Sequence, residues 1–280
     1  MDWQIRDRKL ELDRPLVMAV LNLTPDSFSD GGLIIGVDGA LRAAEKFIQE
    51  GADILDIGGE SSRPGSTAVG VEEEIRRVIP AIEAIAARFD FPISVDTYKS
   101  AVAKAALDAG ANIINDISAF RFDAKLAAVV AVARAGVILM HSRGTFDSLH
   151  TAEPATDIFK DVAADFRRAL TIAGNVSIPD DSIALDIGIG FGKTFEQNLA
   201  LINGVGRLKQ EFPKFPLVIG TSRKSFIGKI LSAAPTDQRL EGSLVTAAIA
   251  VYNGANIVRA HDIKETSAAL KTVKAICKSS

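Results

Sequence analysis

Leu217-Val218-Ile219-Gly220-Thr221-Ser222-Arg223-Lys224-Ser225-Phe226-Ile227-Gly228 is an apolar run that breaks abruptly into a polar one. Residues 217–219 have the continuous apolar character of a strand buried on both faces. Gly220 ends the run, and the next five residues carry two cations and three hydroxyls. A rigid strand that delivers such groups at its end belongs at the mouth of a pocket; an ordinary solvated loop is the competing reading. Gly220 would let the backbone come close to a ligand. Arg223 and Lys224 would supply charge to an anion or a ring carbonyl.

The same pattern recurs along the chain, and the recurrence decides between the two. A short apolar strand, a polar or Gly-rich loop and an amphipathic helix repeat eight times, with strands at 16–21, 53–57, 93–95, 112–115, 137–140, 183–185, 217–219 and 256–258. Asp38 can cap a helix that ends before Gly51, and Ser100 one that ends before Gly110. Thr194 with Gln197, and Asp262 with Glu265, have capping-box spacing. Pro80 should kink or divide the helix over 71–88. Eight such units without a Pro/Gly/Ser-rich linker point to an α/β fold, a closed (β/α)8 TIM barrel, over an open doubly wound sheet. Residues 3–12 alternate apolar and charged and read as a short N-terminal β-hairpin capping one end. The whole chain, 1–280, is expected to form one domain.

Composition narrows the class. The net charge is −3 with no cluster of basic residues, so neither nucleic acid nor a membrane surface is an expected partner. No apolar run approaches the roughly 20 residues of a spanning helix, and Met-Asp-Trp-Gln-Ile-Arg-Asp is not a signal peptide. Cys277 is the single cysteine, which excludes internal disulfides and argues against thiol catalysis. The expectation is a soluble cytoplasmic protein.

In such a barrel, chemistry collects where strands end. Asp96, Asn115 and Asp186 each directly continue an apolar strand and would point into the barrel mouth at similar depth. With Lys224 they suit a flat heterocycle that offers N–H donors and a ring carbonyl. Thr97, Asp116 and Asp262, also near strand ends, read equally well as helix caps. A separate cationic set, Arg63, Arg259 and His261, can surround phosphate oxygens, and the Gly-rich loops can add backbone N–H groups. Asn22, ending the first strand, is a neutral oxygen ligand of the kind Mg²⁺ accepts when substrate phosphates complete its shell; a purely structural Asn is the alternative.

Other signals are weak. Gly188-x-Gly190-x-Gly192 lacks the spacing of a dinucleotide fingerprint. His141, His150 and His261 have no zinc-site spacing, and no nucleophile elbow stands out. The Glu72-Glu73-Glu74 run suits a solvated helix N-terminus.

Several longer stretches are similar to the dihydropteroate synthase family. They are Leu21-Asn22-Leu23-Thr24-Pro25-Asp26-Ser27-Phe28-Ser29-Asp30-Gly31-Gly32, Gly58-Gly59-Glu60-Ser61-Ser62-Arg63-Pro64-Gly65, Ser94-Val95-Asp96-Thr97-Tyr98-Lys99, Ile114-Asn115-Asp116-Ile117, Gly188-Ile189-Gly190-Phe191-Gly192-Lys193, the stretch at 220–228, and Arg259-Ala260-His261-Asp262. The resemblance implies condensation of 6-hydroxymethyl-7,8-dihydropterin pyrophosphate with 4-aminobenzoate, giving 7,8-dihydropteroate and pyrophosphate without a covalent enzyme intermediate. It implies that Asp96, Asn115, Asp186 and Lys224 hold the pterin, with Met140, Phe191 and Gly220 lining its slot. Asn22, Ser62, Arg63, Arg259 and His261 are implied for pyrophosphate, with Mg²⁺ at Asn22. Phe28, Arg63, Pro64, Lys224 and Ser225 are implied for aminobenzoate, where sulfonamides would compete. Asp96, Lys224, Arg259 and His261 are the residues expected to act on the reaction itself, and a homodimer is expected. Three departures from the family pattern stand out: Ile187 replaces a proline, Ser62 a threonine, and Ser142-Arg143-Gly144 follows His141. The segment at 145–154 has no evident role. A pterin-dependent methyltransferase, or a pterin-binding protein without turnover, are the competing functions.

Overall fold

The computed structural model describes residues 1–24, 36–62, 65–151 and 153–278. Eight parallel strands close into a barrel: β3 (Leu16–Asn22), β4 (Ile54–Gly58), β5 (Ile93–Asp96), β6 (Ile113–Asp116), β7 (Gly136–Met140), β8 (Ile183–Asp186), β9 (Leu217–Ile219) and β10 (Ile257–Ala260). Each pairs with its neighbour in sequence, and β10 closes onto β3. The architecture is the expected (β/α)8 barrel. Several strands run one or two residues past the apolar stretches seen in sequence, because Asn22, Asp96, Asp186 and Arg259 are themselves strand residues.

Strand alternation sorts the side chains. One set, including Val17, Leu21, Leu55, Ile57, Val95, Ile114, Val137, Leu185, Leu217 and Val258, joins the main core against the helices. The alternate set fills the barrel. Its lower layer is apolar, built from Leu16, Met18, Ile54, Ile113, Ile138, Ala184, Val218 and Ile257. Two residues further along four of these strands the same face turns polar, at Asp56, Asn115, Asp186 and Arg259, and Asp96 joins them from β5.

The hairpin, β1 (Asp2–Ile5) with β2 (Arg8–Glu11), seals the apolar end. Trp3 and Ile5 are wholly buried against the lower layer, and the Trp3 indole N–H donates to the Ser182 carbonyl at 3.1 Å. With one end plugged by apolar side chains, the polar end is the one open to a ligand.

The outer layer consists of α1 (Gly36–Glu50), α2 (Val71–Arg88), α3 (Ser100–Asp108), α4 (Leu126–Ala133), α5 (Ile158–Asn175), α6 (Phe195–Asn203), α7 (Val205–Glu211), α8 (Ser225–Ile230), α9 (Leu240–Tyr252) and α10 (Ile263–Lys278). Thr194 and Gln197 form the expected capping box. The other helix-start readings differ. Asp38 lies inside the first turn of α1. Ser100 is the first helical residue of α3, and its N–H is satisfied by Asp123 Oδ2 at 2.8 Å. The Asp262 carboxylate is taken up by Arg223. Helix α2 continues through Pro80 without a break. Among the described residues no helix is long and apolar enough to cross a membrane.

Candidate active site

A cavity opens at the polar end of the barrel. Its lining includes Ser62, Asp96, Asn115, Met140, Asp186, Gly188, Phe191, Gly220, Ser222, Lys224, Arg259 and His261. These residues come from the ends of seven different strands, and parallel register sets their depth. Asp96 lies beside Asn115, and Met140 beside Asp186, across adjacent strands.

Arg259 sits at the centre. Its Nε donates to Asp56 Oδ2 at 2.6 Å and its Nη2 to Asp96 Oδ2 at 2.9 Å. Burial works to lower its pKa, but Asp56 and Asp96 outweigh it and hold the guanidinium above its ordinary value. The cation is thus turned toward Asp56 and Asp96. Asp56 is a site residue that strand reading missed. It is wholly buried, and Oδ2 also accepts from Asn115 Nδ2 at 3.2 Å. The carboxamide oxygen of Asn115 is buried without a hydrogen-bond partner, as is Asp56 Oδ1. An acceptor in that condition calls for a donor from a ligand.

The ionisable groups are displaced as a water-poor cavity demands. Burial, reinforced by Asp56 against the opposing Arg259, pushes the Asp96 carboxyl up to about 7. Burial also raises Asp186, although the Gly188 N–H donates to it at 2.7 Å and Lys224 lies near. Lys224 is lowered to about 8 by burial and by Arg259, against the pull of Asp186 and Asp96. Its ammonium stands 4.2 Å from the Phe191 ring centroid, a cation–π contact.

The glycine loop after β8 wraps the cavity wall. Gly188, Gly190 and Gly192 all have positive φ, and a Cβ on Gly188 would fall 1.8 Å from the His141 carbonyl oxygen. Lys193 fastens the loop from behind: Nζ donates to the carbonyls of Gly188 at 2.6 Å, Phe191 at 3.1 Å and His141 at 3.3 Å. Its burial brings the ammonium down to about 7. His141 is buried away from the cavity, held by Asp161 at 3.1 Å, and burial lowers it to about 4.

On the phosphate side, His261 Nδ1 lies 3.0 Å from Ser222 Oγ, and Ser62 joins the rim. Asn22 stands at the end of β3 beside Gly58 in the parallel ladder, outside the cavity lining. Ser225 is exposed at the start of α8, also outside the lining. Arg223 is not a free cation. It forms a two-point pair with Asp262, at 2.6 and 3.2 Å, and braces the loop instead of facing the cavity. Phe28, Arg63 and Pro64 lie outside the described residues. The second loop is tied down by Lys99, whose ammonium binds Glu60 at 3.0 Å, the Val69 carbonyl at 2.8 Å and Glu74.

A barrel closed at one end by a hairpin, with paired carboxylates, a carboxamide and a lysine at the other, defines a (β/α)8 enzyme with a site for a flat, polar ligand. The profile of the pterin binding enzyme family matches residues 18–261. The dihydropteroate synthase of Clostridium beijerinckii is 44% identical over 260 residues, covering 92% of this chain and 93% of that one. That of Escherichia coli is 44% identical over 270 residues, covering 95% and 93%. Among solved structures, the Yersinia pestis dihydropteroate synthase in complex with a sulfonamide drug superposes with a TM-score of 0.94 at 40% identity, over 99% of this chain and 100% of that one. The Xanthomonas albilineans enzyme with 4-aminobenzoic acid gives 0.91 at 40%, over 99% and 98%. The chain belongs to the dihydropteroate synthases, a family of transferases.

Proposed function

We propose that this transferase condenses 6-hydroxymethyl-7,8-dihydropterin pyrophosphate with 4-aminobenzoate, releasing pyrophosphate. The observation that carries the reading is the convergence of Asp96, Asn115, Asp186 and Lys224 around one cavity, with Arg259 fixed between two carboxylates at its centre. Asp96 and Asp186 accept from the amidine-like edge of the pterin. Asn115 Oδ1 takes a further ring N–H, and Lys224 donates to the ring carbonyl. Displacement of pyrophosphate leaves a methylene carbon conjugated to an electron-rich ring, so the site needs leaving-group stabilisation and alignment more than a strong nucleophile. His261, Ser62 and the remaining Arg259 donors face the departing oxygens. Positive charge that spreads into the ring is met by Asp96, and the arylamine attacks without a covalent protein intermediate.

Mg²⁺ fits this reading at Asn22. No group of three His, Cys, Asp or Glu side chains arranged for a metal occurs among the described residues. A neutral oxygen at the end of β3, beside Gly58, suits an ion that arrives with substrate phosphates and keeps its water. Bound there, the ion would neutralise charge on the leaving group. Competition by sulfonamides, as aminobenzoate mimics, belongs to the same reading and is supported by the drug complex of the Yersinia relative. A homodimer is supported by α9, which leaves Val245, Ile249 and Tyr252 exposed along one stripe.

The test is turnover of the pterin pyrophosphate with 4-aminobenzoate and Mg²⁺, following pyrophosphate release and dihydropteroate together. Both products should appear, and Lys224→Ala should abolish them. Pterin binding with neither product would overturn the synthase reading in favour of a binding protein.

A further inference from the structure

The segment after β7 had no role in sequence, and its one ionisable ring sits between two loops of the cavity. A short helical turn at Phe146–Ser148 is fixed by a reciprocal cap between Thr145 and Ser148, and Leu149 buries against Ile117, Met140 and Phe191 in the cavity wall. That peg places His150. Its Nε2 lies 2.7 Å from the carbonyl oxygen of Ser62, on the loop after β4. Its Nδ1 lies 3.2 Å from the carbonyl oxygen of Gly190, on the loop after β8. The ring packs at 5.4 Å, tilted 30°, on Phe191, the same ring that receives the Lys224 ammonium.

Both partners are carbonyl oxygens, which only accept. The imidazole donates an N–H to one of them and packs its other ring nitrogen against the second. Three segments far apart in sequence therefore meet on one side chain: a loop implied for pyrophosphate, a loop that walls the pterin slot, and the segment between them.

We propose that His150 is a positioning residue that clasps the second βα loop to the glycine loop across the cavity. Given the synthase reading above, it sets the rim on which the arylamine and pyrophosphate are aligned, without touching the pterin itself. Its loss loosens the Ser62 side of the cavity and leaves Asp96, Asn115, Asp186 and Lys224 in place.

His150→Phe keeps the ring contact with Phe191 and removes the N–H donor; His150→Gln keeps one. In steady-state kinetics the Phe variant should raise KM for 4-aminobenzoate about tenfold, the size expected for one lost hydrogen bond. Its kcat should change less, and His150→Gln should fall between it and the wild type. Titration with 6-hydroxymethyl-7,8-dihydropterin, which lacks the pyrophosphate, should give an affinity within about twofold of the wild type, as the retained pterin contacts require. Hydrogen exchange, which needs no turnover, should be faster in peptides covering residues 58–62 of the Phe variant. Unchanged exchange there overturns the clasp whatever the enzyme catalyses. Equal loss of pterin affinity and arylamine KM also overturns it, because His150 would then support the pterin slot. Absence of turnover in the wild type would sink the synthase reading while the exchange result still judges the clasp.

Discussion

Arg259 Nε lies 2.6 Å from Asp56 Oδ2, and Asp56 is wholly buried in the barrel beneath the cavity. The pair fixes the direction of the one guanidinium that also reaches Asp96. A buried ion pair is poor evidence of net stabilisation, but breaking one leaves an uncompensated charge and costs about 3 kcal/mol or more. Asp56→Ala should therefore lower the urea midpoint by that order and reduce kcat/KM about a hundredfold, near 2.7 kcal/mol of transition-state stabilisation. Asp56→Asn keeps the shape and one acceptor oxygen, so it should retain more of both. An Ala variant with kcat/KM within about threefold of the wild type would mean that Asp96 alone orients Arg259.

The cavity also sets a narrow pH range. In the proposed reaction Asp96 is ionised to accept from ring N–H groups, and its carboxyl is pushed up to about 7 by burial. Lys224 must keep its proton to donate, and burial brings it down to about 8. For the free enzyme, kcat/KM should rise as pH climbs through about 7 and fall as Lys224 loses its proton near 8. Lys224→Arg, which stays protonated, should lower the rate and remove the alkaline limb. Persistence of that limb in the Arg variant would assign it to another group.

Gly188→Ala isolates the backbone of the glycine loop. Gly188 has φ +68°, and an added Cβ would meet the His141 carbonyl oxygen at 1.8 Å. Left-handed backbone alone costs an L residue about 1–2 kcal/mol, and that carbonyl also accepts from Lys193. The variant should lose at least about 2 kcal/mol in urea unfolding and bind pterin more weakly, because Asp186 loses its Gly188 N–H partner when the turn moves. Gly70→Ala, where a Cβ meets nothing within 4 Å and φ is −66°, is the control and should lose no more than about 1 kcal/mol, the size of an N-cap change.

How much of this could be read in the chain follows from where each residue sits. Asp96, Asn115 and Asp186 were legible because each replaces the apolar residue that strand alternation calls for at the open end of the barrel. Asp116 follows Asn115 by one residue, so it points the other way and caps Ser118 and Phe120. Trp3 and Ile5 were legible as a capping hairpin by the same alternation. Asp56 was missed because it is embedded in Ile54-Leu55-Asp56-Ile57 and reads as strand interior; an acid on the inward face of an apolar strand was the available signal. Arg223 and Lys224 are adjacent and chemically alike, and only the left-handed backbone at Arg223 (φ +58°) sends one to Asp262 and the other to the cavity. His150 lies in a segment with no periodicity, so nothing in its neighbours fixes its direction.

Helix α9 gives the last test. Its inward face buries Ser243, Ala247 and Ala250, while Val245, Ile249 and Tyr252 are 57%, 43% and 68% exposed at spacings of four and three residues. Those spacings put all three on one stripe, and a contiguous apolar stripe on a water-facing helix marks a contact surface. Two copies meeting about a twofold axis would bury the same stripe from both sides, which is how most homodimers are built. The proposed dimer predicts that the wild type sediments as a dimer in sedimentation velocity and that Val245→Glu with Ile249→Glu sediments as a monomer. The cavity is built from strand ends on the barrel's inner face, so pterin affinity should stay within about twofold of the wild type. A double variant that still sediments as a dimer would move the interface to another face of the barrel.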